Sequence, residues 1–416
     1  MTVNFDPISN LHWEDPYPVY RELRTQAPIH HCAASKMYSL SRYEDVEAAL
    51  RQPLVFSSAG MEKVLFNPDS RRPGLMDAIA IARFMVRARV NPLRDKRPPS
   101  LIIEDPPRHD DMRSIVNRGF TPKRIAALEP RMRDIVSDCM ARMRSGEAID
   151  VVRDLAIPLP VTVIAEMLGV DPARQRDFKR WSDALISAAS GGTREGGLRT
   201  ILDPMGELRG YLRTVVAERK AAPADDLISV LLNSENEGTL NENEIFGFIA
   251  LLLVAGNETT TNLIGNSTLA LLAHPSELEK VQADTSLIPG MLEETLRWDA
   301  PVQRLFRQTT EDTELPSGRI PGGSQVALLL GSANRDESVF EDPDIYDVTR
   351  NAKAHLGFGF GVHFCLGASL ARMEARVAME ALVPELPRVA SEQATPEYVD
   401  SFIVRGPRSI ELTLAS

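Results

Sequence analysis

Cysteines and long apolar runs are scarce in this chain of 416 residues and a net positive charge is lacking, and each shortage excludes a class of protein. The three cysteines, Cys32, Cys139 and Cys365, form no disulfide framework, which points to a reducing compartment and a cytoplasmic protein. The longest apolar run, Ile245 to Ala255, falls short of the ~20 residues that span a bilayer. Residues Met1 to Asp6 carry neither a basic nor an apolar leader pattern, so no membrane anchor is expected. A formal net charge of −11 argues against nucleic acid as a partner. No repeat or low-complexity linker divides the chain, so residues 1–416 are read as one domain. No oligomerisation device is evident, and a monomer is expected.

Helical periodicity dominates what is present. The apolar spacing predicts helices over Pro16 to Thr25, Ile125 to Arg144, Asp171 to Ala189, Met205 to Ala221, Glu242 to Ala273 and Ala368 to Leu386. Strand patterns are few and short, the best being Met37 to Leu40, Gln325 to Leu329 and Ser409 to Leu412. The fold class is mainly α with small β-sheets.

The segment from Phe358 to Gly367 (FGFGVHFCLG) holds the cysteine with an evident chemical task. Gly359, Gly361 and Gly367 allow a backbone that turns tightly and approaches a flat ligand closely. Cys365 stands just before a helical stretch, where the dipole and open backbone N–H groups favour a thiolate. One thiolate cannot complete a zinc or iron–sulfur site, but it can be the single axial ligand of a haem iron. A glycine-rich turn with a buried cysteine is the plainer alternative. Within the long central helix, Ala255-Gly256-Asn257-Glu258-Thr259-Thr260 is a poor helical stretch, since Gly256 costs ~1 kcal/mol against alanine and adjacent threonines stiffen the turn. Glu258 is costly to bury there without a partner. The cluster reads as a functional interruption, or as a buried capping cluster in which Thr259 bonds back to the previous turn.

The cysteine segment resembles the haem-binding loop of the cytochrome P450 family, Phe-Gly-x-Gly-x-His-x-Cys-x-Gly, at every fixed position. Ala255 to Thr259 resembles that family's oxygen-activation motif. Asp15-Pro16-Tyr17-Pro18-Val19-Tyr20 and Phe56-Ser57-Ser58 are similar to its N-terminal segments. The resemblance implies a single triangular, helix-rich domain with a buried heme b (iron protoporphyrin IX, here haem). It makes Cys365 the iron ligand, with Phe358, Gly359, Gly361 and Gly367 shaping the loop. Thr259 and Glu258 would handle protons, and Gly256 would leave room for oxygen. His109, Arg113, Arg307 and His363 would hold the haem propionates. Glu294, Arg297 and Arg350 would form a buried charge network, and His355 a structural contact. The activity implied is hydroxylation of a mainly apolar small organic substrate with O2. Two electrons would come from NAD(P)H through a ferredoxin reductase and a [2Fe-2S] or similar ferredoxin. That ferredoxin would dock on the cysteine side, near Arg113 and Arg372. Leu252 to Ala255, Val302 to Leu305 and Phe402 to Val404 would line the substrate pocket. A non-turning-over haem-thiolate binder and a peroxide-driven oxidant are the rival readings; intact Glu258 and Thr259 favour reductive oxygen activation.

Two stretches are less ordinary. Across Arg71 to Arg97, eight basic residues (Arg71, Arg72, Arg83, Arg87, Arg89, Arg94, Lys96 and Arg97) face only Asp77 and Asp95. Leu75, Ile79, Ala82, Val86 and Val90 form an apolar stripe there at helical spacing. The reading is an amphipathic helix packed on the core, with a substrate-carboxylate anchor or an anionic partner as the sharper alternatives. Gly191 to Gly197 reads as a loop between two helices, either a gate or a plain connection.

Overall fold

Proline and buried polar groups set where the helices run. The structure, a computed structural model, describes residues 3–9, 11–65, 75–88, 100–145, 149–189, 198–236, 240, 242–390 and 396–414. The central helix runs over Glu242–Ala273 as the spacing predicts, and it is unbroken through 255–260. The expected interruption is therefore absent, because polar side chains on this stretch find partners that keep the backbone helical. Asn257 donates to Ser182 Oγ at 3.1 Å and Thr261 to the Ala156 carbonyl at 2.9 Å. The helix after the cysteine spans Ala368–Leu382, shorter than predicted, and continues as a 3₁₀ turn over Val383–Arg388. Pro384 removes an N–H and disfavours helical geometry before it. The predicted helix from Met205 starts earlier, at Arg199, with Pro204 accommodated inside it.

Contacts divide the chain into two compact units. The first comprises Met1–Met61, Ile125–Pro160 and Thr259–Ser416, and the second Glu62–Arg124 and Val161–Glu258.

All described strands lie in the first unit. They are β1 (Ile29–Cys32), β2 (Met37–Leu40), β3 (Phe56–Ser57), β4 (Ile149–Asp150), β5 (Arg304–Thr309), β6 (Thr313–Leu315), β7 (Gly318–Ile320), β8 (Gln325–Leu329), β9 (Val389–Ala390) and β10 (Glu411–Leu414). The main sheet has the order β1-β2-β8-β5-β3, with β2 and β8 parallel and the other pairs antiparallel. A three-stranded sheet, β4-β10-β9, and the β6-β7 hairpin complete the set. β10 starts two residues later than the pattern suggests, because Ile410 is engaged otherwise. Its N–H goes to the Asp150 carboxylate at 3.0 Å, and its carbonyl takes the Val151 N–H at 2.9 Å. A core of Leu40, Val46, Leu50, Phe56, Val326, Leu328, Leu330 and Leu356 packs the sheet against helix Tyr43–Arg51, and Phe360 of the cysteine loop leans on it.

The buried charge network is present as expected. Glu294 and Arg297 are fully buried, and the guanidinium fork meets the carboxylate through two bonds of 2.7 Å. Arg350 Nε adds a third donor at 3.2 Å and the Asp347 N–H a fourth at 3.0 Å.

All described secondary-structure elements of the second unit are helices. Helix Leu75–Ala88 packs on Arg199–Ala221, yet the expected stripe does not face inward: Ile79 and Val86 are 46% and 78% exposed, while Ala80 is buried. The packing of the neighbouring helix Arg199–Ala221 decides which face of this helix is covered, and the spacing within one element carries no record of it. Arg71, Arg72, Arg89, Val90, Arg94, Asp95, Lys96, Arg97 and the Gly191 to Gly197 loop lie outside the described residues, as do the side chains of Leu75, Asp77 and Arg87.

Replacing Glu294 by alanine strands Arg297 in the core and should destabilise the protein by about 3–5 kcal/mol. Urea unfolding of wild type and variant measures it, and a loss under ~1 kcal/mol would show the pair is dispensable.

Candidate active site

Backbone hydrogen bonds fix the shape of the cysteine loop. The Leu356 N–H is held by Asn334 Oδ1 at 2.7 Å, and the Gly357 N–H by His355 Nδ1 at 3.0 Å. Gly359 and Gly361 take φ of 71° and 70°, the left-handed region that side chains disfavour. At Gly361 a Cβ would also come within 2.8 Å of the Leu50 carbonyl oxygen. After a 3₁₀ turn over Gly361–His363, the Cys365 N–H donates to the Phe358 carbonyl at 2.9 Å and closes the loop. Helix Ala368–Leu382 starts three residues on, placing the sulfur at its N-terminal end.

None of residues 358–367 is buried, although Leu356, Gly357 and Ala368 on either side are. The open stretch is rich in flat and branched apolar side chains, with Phe364 41% exposed. Among the described residues no group of three or more His, Cys, Asp or Glu side chains could hold a metal ion. A single thiol on an open apolar cradle fits a planar group that brings its own equatorial donors, which is what haem is.

The first unit gathers further predicted residues about this loop. His363 Nε2 lies 2.9 Å from Ser58 Oγ. Two residues on, Gly60 packs so closely on β5 that a Cβ would fall 2.2 Å from the Arg307 carbonyl carbon. The segment after β3 therefore brings His363 and Arg307 into one neighbourhood, a role for Ser58 that sequence spacing does not reveal. Arg307 is buried and donates to the Phe306 carbonyl at 2.8 Å. His109 and Arg113 share helix Arg108–Asn117 of the second unit, with His109 fully buried and Nδ1 2.9 Å from Asp110.

Helical geometry corrects part of the expected pocket. Leu252, Val254 and Ala255 keep exposure on the central helix, but Leu253 is buried and its carbonyl accepts from Ser182. Four consecutive residues cannot share one helix face. Gln303 and Arg304 likewise turn inward, Arg304 to the Pro7 carbonyl at 2.7 Å and the Tyr20 hydroxyl at 3.0 Å. Val302 and Leu305 stay partly open, and Val302 forms a bridge with Val404 that sets it beside Phe402 to Val404. At Gly256 a Cβ would meet Ile164 Cδ1 at 2.6 Å, so the glycine also serves helix packing.

Three carboxyl groups near the motifs are strongly perturbed. Burial pushes Glu258 up to about 7. Burial pushes Glu374, on the helix after the cysteine, up to about 8, with a hydrogen bond from Thr260 opposing in part. Glu374 is fully buried, and its Oε1 has no hydrogen-bond partner among the described residues. Glu293 goes the other way: burial would raise it, but hydrogen bonds from Arg372 and His355 hold it at about 2. Arg372, expected to offer charge to a docking partner, spends its fork on Glu293 at 2.7 and 2.8 Å. Glu374 and Glu293 were not singled out from the sequence, because only burial distinguishes them from surface acids.

Fold and site together define a haem-binding oxidative enzyme. The family model described as Cytochrome P450 matches residues 204–414. The chain is 37% identical to the cyclomarin C epoxidase of Salinispora arenicola, over 94% of each chain. It is 36% identical to the vitamin D(3) 25-hydroxylase of Pseudonocardia autotrophica, over 99% of this chain and 97% of that one. Its structure matches that of cytochrome P450 CYP109Q5 from Chondromyces apiculatus with a TM-score of 0.84 and 37% identity, covering 100% of this chain and 99% of the other. The chain belongs to the cytochrome P450 family. It is a monooxygenase that binds haem b. No described helix is long and apolar enough to cross a membrane.

Glu374 has a folded pKa above its ordinary value of 4.5, so the stability it permits is full below pH 4.5 and is lost as pH rises toward about 8. Unfolding free energies at pH 5 and pH 8 should fall less in Glu374→Gln than in wild type, by roughly 1 kcal/mol or more. Equal falls would mean that Glu374 is not held neutral.

Proposed function

We propose that this chain hydroxylates a mainly apolar small organic substrate, with Cys365 as the iron ligand and O2 as the oxygen source. The observation that carries the reading is the glycine-turned loop that closes from Phe358 onto the Cys365 N–H and sets one thiol at a helix N-terminus. When bound, haem supplies the oxygen-activating chemistry. Cys365 supplies the thiolate, favoured by the helix end. His363 and Arg307 offer donors suited to the propionates; the same role for His109 and Arg113 rests on the sequence pattern alone. Glu258, with a pKa of about 7, holds a proton on its carboxyl near neutrality and passes it to Thr259 Oγ1, its neighbour on the helix. Val302, Leu305 and Phe402 to Val404 present carbon to the substrate, which selects an apolar one. Electrons come from NAD(P)H through a reductase and a small ferredoxin, since the chain carries no flavin or iron–sulfur motif of its own. The two compact units serve as one catalytic domain of a cytoplasmic monomer.

The absorption spectrum of the dithionite-reduced protein under carbon monoxide tests the ligand. A Soret band strongly red-shifted from that of histidine-ligated haem is expected, and Cys365→Ser should lose it. A histidine-type band in the wild type would remove Cys365 from its role. For proton delivery, Glu258→Gln should cut product formation on the order of 10²-fold and abolish the titration near pH 7. Undiminished turnover would exclude Glu258.

A further inference from the structure

Glu293 immediately precedes Glu294 on helix Ile288–Trp298, and one residue along a helix is a turn of ~100°. While Glu294 enters the core, Glu293 meets two side chains that flank the cysteine loop. Arg372 Nε and Nη2 reach its two oxygens at 2.7 and 2.8 Å, the fork geometry that holds a guanidinium plane in one orientation. His355 Nε2 lies 3.1 Å from the same carboxylate. The Nδ1 of that ring accepts the Gly357 N–H, so Nε2 carries the proton and donates to Glu293. Both partners then bear on one ring. The Arg372 guanidinium carbon sits 4.5 Å from the centroid of Phe358, and the His355 ring 5.9 Å from it. Phe358 is the residue whose carbonyl takes the Cys365 N–H at 2.9 Å.

We propose that Glu293 is a positioning residue for the cysteine ligand: through Arg372 and His355 it clamps Phe358, and with Phe358 the carbonyl that fixes the backbone of Cys365. The inference rests on Cys365 being the iron ligand. Groups that orient a ligand from outside the coordination shell set how firmly the metal is held, and the charge and hydrogen bonding around a thiolate set its potential. Glu293 contributes both, because it is an anion and it anchors the two side chains that hold the ring.

The test uses purified holoenzyme, with the reduction potential from spectroelectrochemical titration and the rate of haem transfer to apomyoglobin as readouts. Glu293→Gln removes the charge and weakens the anchor, so the potential should shift upward and haem loss should quicken on the order of tenfold. Arg372→Lys keeps the charge but loses the fork and the stacking, so haem loss should quicken with little change in potential. Glu380→Gln breaks another ion-pair network on the same helix, with Arg133 and Arg376, and should match wild type in both readouts. If Glu293→Gln and Arg372→Lys behave like Glu380→Gln while all retain the thiolate-type carbon monoxide band, the clamp is overturned. A wild type without that band overturns the ligand assignment itself, a separate and recognisable failure. If Glu293→Gln does not fold, Arg372→Lys carries the test, because that side chain is 38% exposed and its replacement leaves the core untouched.

Discussion

The buried Glu294 carboxylate is the fixed point from which the cysteine-loop side of the first unit is built. An ion of this kind inside a protein carries a desolvation cost of several kcal/mol, and only dense pairing offsets it. Glu294 has that pairing, with two bonds from Arg297, one from Arg350 and one from the Asp347 N–H. Arg297 in turn bonds the carbonyls of Asn334, Pro343 and Ile345. Asn334 then spends its amide on the Leu296 carbonyl and the Leu356 N–H. Leu356 accepts the Gly359 N–H, and the cysteine loop begins there. Each link is a hydrogen bond with both groups buried or nearly so, and such links resist exchange with water. The loop is thus open on one side while its root is tied to a charge that has nowhere else to go.

The neighbouring residues Glu293 and Glu294 show how a rotation of ~100° about one helix separates two tasks. One acid enters the core and organises backbone carbonyls. The next faces the loop and organises two side chains around Phe358. Glu374 adds a third arrangement, a carboxyl kept neutral by burial and held by one hydrogen bond from Thr260. Glu258 lies between these extremes, pushed up to about 7 by burial. Glu293, Glu258 and Glu374, acids of the same intrinsic chemistry, therefore differ by several pKa units through surroundings alone.

Much of the site was legible in the sequence because its signals are local. A glycine that takes positive φ, a cysteine ahead of a helix and a run of polar residues in an apolar helix can each be read from a few neighbouring letters. The central helix, β2 and β8 follow from periodicity over one element. Periodicity failed where two elements decided the outcome. On Leu75–Ala88 the stripe residues Ile79 and Val86 stay exposed while Ala80 is buried, and the helix from Arg199 absorbed a proline that reads as a boundary. Leu253 was drawn into the pocket by its neighbours in sequence and turned out of it by the 3.6-residue repeat.

By itself the sequence determined the family, the glycine-turned cysteine loop, the buried network of Glu294, Arg297 and Arg350, and a mainly helical fold with small sheets. Those features need only residue type and spacing, which local sterics and charge translate directly into structure. Only the tertiary structure decided the contact of Ser58 with His363, the close approach of Gly60 to Arg307, the burial of Glu374 and the pairing of Glu293 with Arg372 and His355. Each joins residues far apart in the chain, and each depends on burial. Desolvation and directional hydrogen bonds act only once distant segments meet, so no reading of single elements could have supplied them.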